Sequence, residues 1–121
     1  MHHATQAYND TAKATLTSRD LEAHLLLKAA AKLQAIKDEW TRAEAELPDV
    51  LLYNRKLWTV FASAVTDETS ELPVSVRQNI ANLGIFIFNR TVELSFAPTP
   101  EKLTALIDIN RNVAAGLRGQ D

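Results

Sequence analysis

The chain has 121 residues, 46% hydrophobic and 23% charged, with a formal net charge of -2 and no cysteine. That length suits one domain with a sizeable core, and the composition excludes an intrinsically disordered chain. Without cysteine there is no disulfide framework or thiolate metal site, and without a basic excess no global field gathers nucleic acid.

In chain order, the segment Met1 to Leu16 is polar and has no apolar signal-peptide core. No apolar run approaches a membrane span, so a soluble, cytoplasmic protein without membrane insertion is expected. Residues 1–17 are weakly patterned. Ala4, Ala7, Tyr8, Thr11, Ala12 and Thr15 share at most one face of a short helix, and the segment reads as an N-terminal arm. His2 and His3 are adjacent at a terminus, which is weak evidence for metal.

Thr17, Ser18, Arg19 and Asp20 form a helix start signal, with a hydroxyl to cap and a carboxylate in the first turn. A helical period then runs over 19–46, placing Leu21, Leu25, Ala29, Leu33, Ile36, Trp40, Ala43 and Leu47 on one stripe. Pro48 ends that helix and opens a second over 49–66, whose apolar arc holds Leu51, Leu57, Trp58, Phe61, Ala62 and Val65. Asn54 falls inside the same arc. Residues 67–72 are short, polar and acidic, a loop.

Pro73 opens a third helix over 73–96. Val76, Ile80, Leu83, Gly84, Ile87 and Leu94 cluster on one face, and Ala81, Ile85, Phe88, Val92 and Phe96 widen it to an arc of roughly 220°. A helix so widely apolar needs more than one neighbour to cover it. The break at Ala97-Pro98-Thr99-Pro100 starts a last helix over 100–118, with Asn110 at the centre of its apolar stripe and Gly119 as its stop. Short connections favour antiparallel neighbours. The expected fold is all-α, a compact bundle of three to four long antiparallel helices plus a short N-terminal helix or arm, with residues 18–121 as one helical domain.

No catalytic pattern emerges. There is no Glu-x-x-His, no His-Glu-x-x-His, no phosphate loop and no glycine-rich fingerprint. No enzyme activity, cofactor or metal is expected. The informative residues are polar ones near apolar faces. Asn54 and Asn110 point into the presumed core, and Asn79 and Asn82 border it. These amides either bond one another and fix helix register, or line a polar seam for a partner backbone. Leu27, Leu52 and Phe86 lie on the polar sides of their helices and are candidate partner contacts, together with Tyr53. Arg55 and Arg111 sit at arc edges, where an arginine buries its stem and keeps its charge wet. Exposed apolar grooves between helices suit an amphipathic partner helix.

Four segments, Leu21–Ala30 (LEAHLLLKAA), Leu52–Trp58 (LYNRKLW), Val76–Gly84 (VRQNIANLG) and Leu106–Arg111 (LIDINR), resemble in order the alphaproteobacterial flagellar biosynthesis regulator FlaF. The resemblance runs from about Tyr8 to Gly119, nearly the whole chain. It implies a cytoplasmic, non-enzymatic protein that binds flagellin as a secretion chaperone and supports its export and filament assembly. FlbT is implied as a further partner, through which the alternative role, control of flagellin translation from its messenger RNA, would operate. Direct nucleic-acid binding is not expected of so acidic a chain. Asn54, Arg55, Trp58, Arg77, Asn79, Asn82 and Asn110 match as family-typical positions, with no catalytic residue among them.

Overall fold

The structure is a computed structural model that describes residues 2–119, with side chains over residues 18–119. Helix α1 spans His2–Asp38, α2 Trp40–Ala43, α3 Leu47–Thr66, α4 Val74–Phe96 and α5 Leu103–Leu117. Single 3-10 turns at Glu44–Glu46 and Pro100–Lys102 lead into α3 and α5. No strand occurs among the described residues. The bundle is all-α, as expected from the periodicity.

Two helix boundaries differ from the sequence reading. The first helix does not begin at Thr17-Ser18, because α1 runs through that point from His2. No glycine or proline precedes Pro48, so nothing in the chain's first third breaks a helix by itself. The side chains of the expected arm, residues 1–17, lie outside the described set. The second difference is a break at Glu39, whose φ of -118° and ψ of 38° leave the helical region. Lys37 already stands beside Thr104 in the first turn of α5, so a helix unbroken to residue 46 would run past the end of its partner. The break folds the surplus back, and Trp40 packs against the core from the new direction.

Helices α1, α3 and α5 enclose the core, where Leu26, Leu33, Val65, Leu103, Leu106 and Ile107 are fully buried. The expected α1 stripe holds for Ala29, Leu33 and Ile36, but Leu21 is 56% exposed while Ala23 and Leu26 are buried. Steps of four drift around a 3.6-residue helix. Leu26 lies within about 20° of Leu33, whereas Leu21 is about 120° away. Leu27 is also half-buried and packs against the core, which corrects its assignment as an exposed contact.

The Lys37 ammonium donates to Thr104 Oγ1 at 2.7 Å near one end of the α1–α5 pair, and Asn110 Nδ2 reaches Leu26 O at 3.4 Å further along. These links make the two helices antiparallel. Helix α4 packs chiefly on α3 and touches α5 lightly. Its start is linked to α3 by a loop in which Asp67 Oδ1 accepts from Thr69 N at 2.8 Å and from Thr69 Oγ1 at 2.6 Å. Those bonds hold the exposed Asp67 carboxyl below its ordinary range. A depressed carboxylate stabilises the fold above its unfolded pKa, and the contribution is lost as pH falls through the folded value.

Gly84 is the close-approach point of α3 and α4. A Cβ built there would meet Ala62 Cβ at 3.8 Å and Trp58 Cε3 at 3.9 Å, ordinary contact distances. Gly84→Ala is therefore expected to stabilise the protein by about 0.5–1 kcal/mol, read as a raised urea midpoint. Ile80 is 5% exposed in the core cluster. Ile80→Asp places an unpaired carboxylate there, and circular dichroism should show loss of the cooperative melt.

Candidate functional site

A buried polar seam crosses the three-helix core. Trp58 Nε1 on α3 donates to Asn110 Oδ1 on α5 at 2.8 Å, and Asn110 Nδ2 donates to Asn54 Oδ1 on α3 at 2.8 Å. Asn54 and Asn110 are wholly buried. An indole N–H only donates, so Trp58 fixes which end of the Asn110 amide is oxygen. That choice fixes Asn54 in turn and leaves its Nδ2 the one buried side-chain polar atom without a partner among the described residues. The seam is closed to solvent and offers no open surface to a ligand. Asn79 and Asn82 do not share it. Both are exposed on α4, where Asn82 Oδ1 accepts from Gln78 Nε2 at 3.2 Å, so they carry no interior structural bond of the kind expected.

The open surface lies on the other side of Trp58, in a groove between α3 and α4. One hollow of about 820 Å³ is walled by Leu51, Leu52, Thr91 and Leu94 and closed by the Arg42–Ala45 turn and Pro98. A second, of about 420 Å³, is floored by Trp58, Ala62 and Gly84 and flanked by Ile85 and Phe88. Arg55 lines both and joins them. From Ala81 to Ser95 the α4 wall rises about 21 Å, the length of a helix of about fourteen residues.

The shoulder of α4 beside this groove is apolar and uncovered. Ile85 is 62% exposed, Phe88 52%, Val92 41% and Phe96 85%. Their spacing of three, four and four keeps them on one stripe. The sequence reading placed all four within a covered arc, and the structure corrects that. Helix α4 has one extensive neighbour, so only Ile80, Ile87, Thr91 and Leu94 are buried. The signal that could have found the stripe was the width of the arc itself, since roughly 220° exceeds what one neighbouring helix covers.

The other candidate contacts scatter. Leu52, 39% exposed, and Arg55 belong to the groove. Tyr53 is half-buried with the Lys32 ammonium 5.3 Å from its ring centre. Phe86, 38% exposed, lies on the α5 side of α4, lining a hollow with Asn79, Asn82, Leu83 and Ile109. The Arg90 guanidinium covers its ring at 5.1 Å while Arg90 Nη1 donates to Lys102 O at 3.1 Å. Arg111 is exposed on α5 beside Asn110. Among the described residues, no three His, Asp or Glu side chains gather as a metal site needs, and no helix is long and apolar enough to cross a membrane.

A family model described as flagellar protein FlaF matches residues 4–117. No curated protein and no solved structure matches the chain.

The direction of the seam sets an order of stability losses. Asn110→Ala removes the acceptor of the buried Trp58 N–H and the donor to Asn54, each loss costing ~1–3 kcal/mol. Asn54→Ala removes an amide that already holds an unpaired donor, so it should cost clearly less. Urea titrations of the two variants should rank them in that order.

Proposed function

Because the chain belongs to the FlaF family of flagellar proteins, we propose that it is a non-enzymatic secretion chaperone of flagellum biosynthesis. It holds an amphipathic terminal helix of flagellin in the α3–α4 groove and supports export and filament assembly. The observation that carries this reading is the uncovered α4 stripe, Ile85, Phe88, Val92 and Phe96, beside a groove floored by Trp58, Ala62 and Gly84. Four large apolar side chains in line on one helix are surface that water disfavours and that a partner's apolar face would cover. Helix-in-groove recognition uses anchors at this spacing. Flagellin termini polymerise through apolar faces of the same kind, so covering one keeps the subunit single until it is exported.

The groove is long enough for about four helical turns. Leu52 and Arg55 supply its α3 rim. The polar hydroxyls of Thr59, Ser63 and Thr66 line the far end and let a partner helix leave the groove into water.

The test is co-elution of purified flagellin with the protein on size exclusion, with calorimetric titration. The wild type should bind. Phe88→Glu should weaken binding by about tenfold or more without lowering the melting temperature, since the ring is half-exposed. Phe86→Ala, on the opposite flank of α4, should bind as the wild type does. Absence of any flagellin complex would remove this reading, and retention of FlbT alone would point to translational control instead.

A further inference from the structure

We propose that Arg55 selects the groove's occupant, favouring amphipathic helices that carry a carboxylate midway along their buried apolar face. The inference rests on the groove being the docking site, and adds the chemistry of what docks there.

Arg55 stands where the two hollows meet, with Leu51, Leu52 and Leu94 on one side and Trp58, Ile85 and Phe88 on the other. It is the one charged residue that α3 or α4 contributes to either lining, while Arg42 and Glu44 line the first hollow from the turn that closes it. Among the described residues its guanidinium has no hydrogen bond and no acidic partner. Arg111 and Arg118 are likewise without a side-chain partner among the described residues but line neither hollow, and the other four arginines of the domain are engaged. Arg19 meets Glu22, Arg42 meets Glu39, Arg77 donates to Leu72 O, and Arg90 donates to Lys102 O. Arg55 therefore brings five uncommitted N–H donors to the junction of the two hollows, ready for a planar acceptor.

A purely apolar helix seated in the groove would strip water from that guanidinium without replacing it, which costs binding energy. A helix with Lys at the same point would add like-charge repulsion. A Glu or Asp there accepts the guanidinium's paired donors, and the surrounding apolar walls strengthen the pair as water leaves. The occupant's pattern follows: apolar anchors about one to two turns before and after a central carboxylate, one set for each hollow. The net charge of -2 gives no general attraction for acidic helices, so this preference is local to Arg55.

The test uses fluorescein-labelled helical peptides of about 18 residues with identical apolar faces and Glu, Gln or Lys at the central position, titrated by anisotropy into the full chain. The wild type should bind the Glu peptide about tenfold tighter than the Lys peptide, with the gap shrinking in salt. Arg55→Glu should invert the order and Arg55→Gln should flatten it, while circular dichroism melts stay unchanged because the side chain is exposed. Equal affinity for all three peptides, or a Glu preference that survives Arg55→Gln, overturns the inference. Flagellin separates the two claims. If its binding is lost in Phe88→Glu but unaffected by Arg55→Glu, the groove reading stands and the role of Arg55 falls. If the peptide order inverts while flagellin never binds, the role of Arg55 stands and flagellin is the wrong occupant.

Discussion

The hydrogen-bond chain Trp58–Asn110–Asn54 is the constraint on which the arrangement of helices depends. Apolar packing alone tolerates sliding between helices, because Leu against Leu is little changed by a small shift. An indole donor and two amides in a dry interior do not tolerate it, since each misplaced bond leaves a buried polar group exposed to nothing. With Asn110 also reaching Leu26 O, the seam touches α1, α3 and α5 at one level. Register among the three core helices is thereby set at a single point, and apolar side chains fill in above and below.

Helix α4 stands outside that arrangement. It contributes Ile80, Ile87 and Leu94 to the core but no bond to the seam. Its polar ties run to loops and turns, through Arg77 to Leu72 O and Arg90 to Lys102 O. The result is a three-helix core with a fourth helix laid along α3, apolar on both its inner face and its outer shoulder. A groove forms because Gly84 and Ala62 let the helices approach at one end, while Thr91 and Ser95 leave room towards the other.

The helical class, the antiparallel order and the inward direction of Asn54 and Asn110 were all legible in the sequence, because 3.6-residue periodicity reports which face is apolar. Periodicity does not report how many neighbours a face has. By periodicity alone Phe88 and Ile85 belong to a covered arc and Phe86 stands isolated among polar residues, whereas the structure exposes the first two and lays the Arg90 guanidinium over the third. The break at Glu39 was illegible for a different reason. Trp40, Thr41 and Arg42 are acceptable helix residues, and the chain turns there because the bundle has ended, not because the local sequence stops it. Arg55 was visible as an arc-edge residue, but its position between two hollows exists only once α4 lies beside α3.

Trp58 faces two ways. Its ring nitrogen belongs to the seam, and the edge carrying Cε3 lies against Gly84 on the floor of the groove. The indole is thus a built-in optical reporter whose emission responds both to the integrity of the interior and to what lies above it. Trp40 is the one other tryptophan, and its ring sits half-buried at the α1–α2 break, packed against the core. With Trp40 replaced by phenylalanine, the tryptophan emission of this chain would carry one signal, from the residue that connects its core to its open face.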